Sequence, residues 1–357
     1  MNMHPLKRMF SLVFVASLVS AGISVSIQAQ RGRGAAPQQS PLRTAVFDPQ
    51  QKIYYADAND RTIRALPVRD NVWMIVGAGG NITVQVGDEG VLVVDTGSGG
   101  AATEKVQTIL RAISTKPVRY IVNTSFRSDH TGGNEPLRAM APADGPPGAG
   151  GPGAGRGGGR GTPIAAFETV LGRMSAPTGK VAPTPANAWP SETYFKAFHD
   201  IYFNGEGIQM IHVSDAITDG DSLVYFRRSD VIAAGDIFLT TTYPVIDVQA
   251  GGTIDGVLDG LNKLLDICIP KEKQEGGTMV IPGHGRISDE ADVLEYRDML
   301  KIIRDRILDA VKKGRTLQQV QAAGLTRDYD GRYGATTGPW TTAMFIEAAY
   351  SSLSKQK

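Results

Sequence analysis

The amino-acid sequence predicts an α/β chain folded as a four-layer αββα sandwich, built from two pseudo-repeated halves and extended by C-terminal helices. Three observations predict it. The chain passes twice through one order of elements: short strands, a strand closing on Asp, a helix, and a strand that runs into polar residues. The strands are β-branched runs bounded by Gly, Asp and Asn, the punctuation of half-buried or buried sheet. The helical stretches lie between strands, where they can cover an outer face. Two such halves bury most if they pack sheet on sheet with the helices outside.

In the first half the strands fall near 72–76, 81–86 and 90–95, the last of these reading Gly90-Val91-Leu92-Val93-Val94-Asp95. A helix follows near 102–114, then a strand at 118–123 and the pair Asp129-His130. In the second half strands fall near 208–213, 222–227 and 231–236, ending at Asp236. A helix near 254–267 and a strand at 278–281 lead to Gly283-His284-Gly285. Beyond 286 the pattern turns helical: 289–313 carries an apolar face of Val293, Tyr296, Leu300, Ile303, Ile307 and Val311. Thr316 with Gln319 forms a capping-box signal for a short helix, and 340–353 closes the chain as a helix. No linker separates these helices (287–357) from the core, so 51–357 reads as one domain.

The chain of 357 residues carries 37 Lys+Arg against 36 Asp+Glu, net +1. That balance, with no basic block interleaved with aromatics, argues against a nucleic-acid partner. A single cysteine, Cys268, excludes an internal disulfide and reads as a small core residue on a helix face. Residues 1–29 have the form of a secretory signal peptide: Lys7 and Arg8, an uncharged apolar run from Met9 to Val25, then Ile27-Gln28-Ala29. The expected location is periplasmic or secreted, with no membrane attachment after cleavage. Residues 30–50 read as a flexible leader, and the Gly/Pro-rich stretch 141–161 as a loop insertion.

The chemistry is concentrated in a few side chains. Of five histidines, His4 lies in the signal segment, His212 falls within a strand pattern, and His199 sits in an amphipathic stretch. His130 and His284 differ: each follows a strand and stands near Gly with acidic partners available, the setting of a metal ligand. Asp95 reads as structural, accepting hydrogen bonds that hold the ligand loop. Thr131-Gly132-Gly133-Asn134 reads as the start of a helix, with Thr and Asn as capping residues. Gly77 to Gly80 is too little to signal a phosphate cradle. Trp189 and Tyr194 are either cleft-lining or core aromatics.

Residues 121–134, IVNTSFRSDHTGGN, resemble the metal-binding segment of the metallo-β-lactamase superfamily, His-x-His-x-Asp-His followed by Gly-Gly-Asn. The stretches 91–98 (VLVVDTGS), 211–226, 231–238 (VIAAGDIF) and 280–286 (VIPGHGR) resemble the family's remaining motifs in order. The resemblance implies a second-site ligand set of Asp129, His130 and His284, with Asp236 as the bridging carboxylate. It also shows what is gone. The three first-site histidines correspond to Ser125, Arg127 and Ile217. A guanidinium is all donor and stays charged, so Arg127 cannot ligate a metal but can stand in for its charge beside Asp236 or Asp129. Ile217 would make that corner apolar. Two readings stay open. One is a hydrolase of an ester, lactone or amide that uses a single zinc (or iron or manganese), with Asp129 and Asp236 in catalysis on a small-molecule substrate. The other is a degenerate binding protein without a cofactor.

Overall fold

The computed structural model describes residues 44–140, 161–177, 182–274 and 276–355, all within one compact unit. The signal segment 1–29 and residues 141–160 of the Gly/Pro-rich insertion lie outside the described residues.

Among the described residues the first sheet has nine strands in chain order: β1 (Val46–Asp48), β2 (Ile53–Tyr55), β3 (Arg64–Arg69), β4 (Val72–Val76), β5 (Ile82–Gly87), β6 (Gly90–Val94), β7 (Val118–Val122), β8 (Ile164–Phe167) and β9 (Glu192–Tyr194). An antiparallel meander runs to β6; β7, β8 and β9 then add in parallel, the first crossover being helix α1 (Ala101–Ile113). Helices α2 (Ser128–Thr131), α3 (Asn134–Arg138) and α4 (Glu168–Ser175) follow β7 and β8. The second sheet repeats the plan with five strands: β10 (Phe198–Phe203), β11 (Glu206–His212), β12 (Ser222–Phe226) and β13 (Val231–Leu239) are antiparallel. Helix α5 (Ile254–Ile267) then returns the chain to β14 (Met279–His284), parallel to β13.

Period-two alternation within the strands fixes the layers. In β6, Val91 and Val93 face α1, whose Val106, Ile109 and Leu110 cover them, while Leu92 and Val94 face the second sheet. In β12, Val224 and Phe226 point to the first sheet and Leu223 to the helices. The space between sheets is filled by Met74, Leu92, Val94 and Val122 from one side and Met210, Val224, Phe226 and Ile281 from the other. Leu261 and Leu264 of α5, with helix α6 (Glu290–Lys312), close the fourth layer over Leu223, Ile232 and Ala234. Helices α7 (Leu317–Ala322), α8 (Asp330–Tyr333) and α9 (Thr342–Ser354) pack onto the same cluster, where Phe345 stacks on Tyr243 at 4.5 Å. The C-terminal helices therefore extend the outer layer, as their apolar faces indicate.

The helix starts follow capping chemistry. Thr253 accepts from Gly256 N at the head of α5, and Asp289 and Thr316 open α6 and α7 with capping boxes, the second being the Thr316–Gln319 pair. Cys268 is buried at the C-terminal end of α5, and burial pushes its thiol up to about 12. The sheet begins earlier than the leader-like composition of 30–50 suggests: β1 already pairs with β2 there. His212 ends β11 with its ring stacked on Phe167 at 3.5 Å, and His199 lies exposed on edge strand β10 against Tyr194.

Phe226 is fully buried between the sheets. Phe226→Ala is expected to lower the unfolding free energy by about 3–5 kcal/mol. Denaturant titration measures it; a loss below about 1 kcal/mol would contradict a close-packed layer there.

Candidate metal centre

The site forms where β6, β7, β13 and β14 end. Asp95 follows β6 in a left-handed conformation, φ 62°, which Asp tolerates better than most residues. It is buried and collects three donors: Thr124 N at 2.8 Å, Thr124 Oγ1 at 2.6 Å and His130 Nδ1 at 2.7 Å. The loop after β7 is thereby tied to β6, and the His130 ring is fixed with Nε2 pointing away from Asp95. In β13 the pairing with β14 shifts register around Gly235, φ 51°. A side chain at Gly235 would run into Thr124, 2.8 Å from where its Cβ would lie. Glycine here lets β13 approach the first sheet and delivers Asp236 to the junction. His284 is the last residue of β14.

Asp129, His130, Asp236 and His284, named as candidates from sequence, converge here: one ligand atom from each lies within 4.8 Å of all the others. The two carboxylates divide their oxygens in the same way. Asp129 Oδ2 lies 3.0 Å from His284 Nε2, and Asp236 Oδ1 lies 3.1 Å from His130 Nε2 and 3.7 Å from His284 Nε2. Their other oxygens face Arg127 Nε, at 3.7 Å from Asp129 Oδ1 and 3.2 Å from Asp236 Oδ2. The imidazoles occupy one side of the carboxylate pair and the guanidinium the other.

Charge follows this geometry. Burial would raise Asp236, but the charges of His130, His284 and Arg127 outweigh it and hold the carboxyl below its ordinary value. Asp129 is also lowered against its burial, by the His284 hydrogen bond and then by the charges of His130 and Arg127. Burial would depress His130; Asp236 and Asp95 reverse that and hold the imidazole well above its usual range. The pocket therefore favours a cation at this point, proton or metal. Metal fits the donor set: two imidazole nitrogens and two carboxylate oxygens suit zinc, iron or manganese. His130 Nε2 and Asp236 Oδ1 are buried and, although 3.1 Å apart, make no hydrogen bond to each other or to another group. Two orphaned ligand atoms close to one another, with the second ring nitrogen held by a carboxylate, are the arrangement a bound ion satisfies.

The positions equated with lost histidines divide. Ser125 is buried, and its Oγ accepts from Arg127 N at 3.4 Å. Arg127 lies against Asp236 and Asp129, as its charge suggests. Ile217 is fully buried in the apolar cluster beneath the outer helices. Thr131 to Asn134 do lead into a helix, but neither residue caps it. The Thr131 hydroxyl bonds the Arg127 carbonyl at 3.1 Å, and Asn134 is buried among Asn123, Thr96 and the Ala188 carbonyl. Gly133 holds the N-cap position of α3, while Asn134 already lies inside that helix and Thr131 ends α2. Tyr194 is buried with its hydroxyl on Ser222, and Trp189 Nε1 donates to the Thr184 carbonyl, so both are packing groups.

Sequence reading missed a brace formed by Gly80 and Asn81. Gly80 N donates to the Asp129 carbonyl at 3.0 Å. Asn81 N donates to Gly283 O at 2.7 Å, and its Nδ2 to Pro282 O at 2.9 Å and Gly285 O at 3.1 Å. A Cβ at Gly80 would lie 2.9 Å from the His130 ring. The brace holds the Asp129 loop and the His284 loop in one register. The only sequence signal was a polar residue, Asn81, at the head of an apolar strand.

A model of the metallo-beta-lactamase superfamily matches residues 75–284. The chain belongs to that superfamily. Its fold is similar to a stereoselective inverting sec-alkylsulfatase from Pseudomonas sp., with TM-score 0.58 and 14% identity over 87% of this chain and 57% of the other. A double mutant of the sec-alkyl sulfatase gives TM-score 0.59 and 15% identity over 80% and 49%. The chain thus spans about half the length of that enzyme. A metallo-beta-lactamase from Pontibacter korlensis gives TM-score 0.49 and 16% identity over 67% and 99%. No curated protein sequence matches the chain. The superfamily assignment accounts for both the sandwich and the convergence of polar residues at strand ends.

Asp95→Asn keeps a residue that tolerates the left-handed backbone while removing the carboxylate from His130. It is expected to weaken zinc binding roughly 10–100-fold with the fold retained. Asn81→Ala is expected to weaken it as well, by loosening the His284 loop. Competition against a chelator of known affinity measures both, and unchanged affinity in Asp95→Asn would remove Asp95 from any role in orienting a ligand.

Proposed function

We propose that the protein is an exported single-metal hydrolase acting on an ester, lactone or amide of a small molecule. The observation that carries this reading is the convergence of Asp129, His130, Asp236 and His284 within 4.8 Å. Those four residues would hold one zinc, or iron or manganese in its place. A divalent ion bound there supplies Lewis acidity, which polarises a carbonyl and acidifies water.

The chain's own groups divide the remaining work by exposure. The Asp236 side chain is 1% exposed and that of Asp129 27%. Asp236 is therefore the buried anchor that collects His130, His284 and Arg127. Asp129 is the carboxylate a reacting water can reach, and its Oδ1 accepts the proton released as water adds to the substrate. Asp95 keeps His130 in one tautomer, with Nδ1–H donated outward and Nε2 free for the ion. Arg127 supplies a fixed positive charge where the superfamily's other site would stand. Export rests on the form of residues 1–29, and among the described residues no helix is long and apolar enough to cross a membrane.

One observation favours a second reading. Arg127 Nε lies 3.2 Å from Asp236, and His130 is held above its usual range, so a guanidinium and a proton already oppose the carboxylates. A non-catalytic binding protein of the same fold would need no ion.

Metal analysis separates the two. Protein purified without chelator is expected to carry about one equivalent of zinc, iron or manganese per chain. His284→Ala is expected to lose it and to cut turnover of an activated aryl ester roughly a hundredfold or more. Folded protein that takes up no divalent metal and turns over no ester establishes the binding reading instead. N-terminal sequencing of the exported form tests the signal segment; a start near residue 30 is expected, and retention of the leader contradicts cleavage.

A further inference from the structure

Arg127 is held by one edge only. Its Nε is buried 3.2 Å from Asp236 Oδ2 and 3.7 Å from Asp129 Oδ1, an ion pair without a hydrogen bond that draws the guanidinium to the carboxylates by this edge. The side chain as a whole keeps 26% exposure. Neither Nη1 nor Nη2 donates a hydrogen bond to any described residue, and Nε is the only one of its nitrogens that is both buried and without a hydrogen bond. The two terminal nitrogens are therefore not buried, and among the described residues none accepts from them, which leaves an open edge of N–H donors beside Asp129 and Asp236. An arginine with no anchor would wave freely and lose its directionality. This one is oriented before any ligand arrives.

The end of a guanidinium is a flat fork of parallel donors whose spacing matches two oxygens of one anion. Asp129 and Asp236 are already engaged from the Nε side, and their remaining oxygens face the imidazoles. Nothing in the described protein supplies an anion to the open fork. With one divalent ion in the pocket, the charges of Asp95, Asp129 and Asp236 are balanced by the ion and Arg127. An incoming anion then meets a neutral site with a directed donor pair.

We propose, resting on the single-metal reading, that Arg127 is the specificity-determining residue of the site. Its open edge holds an oxyanion group carried by the substrate (carboxylate, sulfate or phosphate) next to the bond to be hydrolysed. The substrate class is then an anionic ester or amide rather than a neutral lactone.

The test is calorimetric titration of the zinc-loaded protein with sodium acetate, sulfate and phosphate, and with neutral acetamide as control, in wild type, Arg127→Lys and Arg127→Gln. Zinc stoichiometry and near-ultraviolet circular dichroism are recorded first for each. At least one anion is expected to bind wild type about tenfold or more tighter than Arg127→Gln. Arg127→Lys should fall between, since it keeps the charge and loses the fork; acetamide should not distinguish the three. The anion that binds best separates a planar carboxylate from a tetrahedral sulfate or phosphate. Equal anion binding by wild type and folded Arg127→Gln overturns the proposal, as does a wild type that binds none of the anions. If wild type takes up no zinc, the single-metal reading fails by itself. The same titrations on the metal-free protein then decide whether Arg127 binds an anion at all.

Discussion

The structure turns on a line of buried charge: Asp95, His130 and Asp236, each 3% exposed or less, running from the first sheet to the second. A carboxylate taken out of water costs several kcal/mol unless it is paired and hydrogen-bonded. Asp95 meets that cost with three donors, of which the His130 ring is one. Asp236 lacks such a set of neutral donors and depends on cations: His130, His284 and Arg127. The halves of the sandwich are thus joined by apolar packing along their faces and by electrostatic need at their ends. Removing a single partner leaves a buried charge uncompensated, so the site and the closure of the two sheets are one problem.

That dependence explains the steric detail around it. β13 bends through a left-handed glycine to bring Asp236 across, because any side chain at Gly235 would strike Thr124, the residue that also holds Asp95. The brace at Gly80 and Asn81 then ties the Asp129 loop to the His284 loop through two backbone N–H groups and the Asn81 side-chain amide, all donating to backbone carbonyls. Backbone carbonyls cannot move without moving their strands, so ligands from separate halves are held to one geometry by the stiffest parts of the fold. Preorganisation of this kind is what a site needs if its side chains are to keep their positions whether or not a cation is present.

The layers were legible in the sequence because β6, and β13 apart from Asp236, are runs without polar side chains that need cover on both faces, while α1, α5 and α6 show a single apolar stripe. Strands β1 and β9 were not legible: at three residues each they carry no usable period, and they exist because a neighbouring edge offers hydrogen bonds. The candidate ligands were legible through resemblance, since Asp129-His130 alone fits an ordinary turn. Asn134 was misread as a cap because capping propensity is local, whereas its partners (Asn123, Thr96 and the Ala188 carbonyl) are brought in by the tertiary fold; Thr131 ends the preceding helix, where its hydroxyl bonds back to the Arg127 carbonyl. Asn81 was missed for the same reason: its acceptors lie more than 200 residues away in the chain.

Arg127 shows what changes when a guanidinium stands where a second cation would. A metal ion exchanges, depends on supply, and can activate water; a guanidinium does none of these. It offers instead a charge that persists at any physiological pH and a donor array with a direction. The carboxylates beside it do not distinguish the two, since each needs only positive charge nearby, and Asp236 remains buried and ionised either way. A substrate does distinguish them. An ion accepts any oxygen that approaches, whereas a fork held at Nε by Asp236 and Asp129 accepts a pair of oxygens in one plane. On the proposed reading, arginine at one of the three histidine positions puts a shaped centre where a reactive one would stand. On that reading, a site that holds one metal beside such a fork would give up the clamp of a dinuclear centre and gain recognition of charge in return.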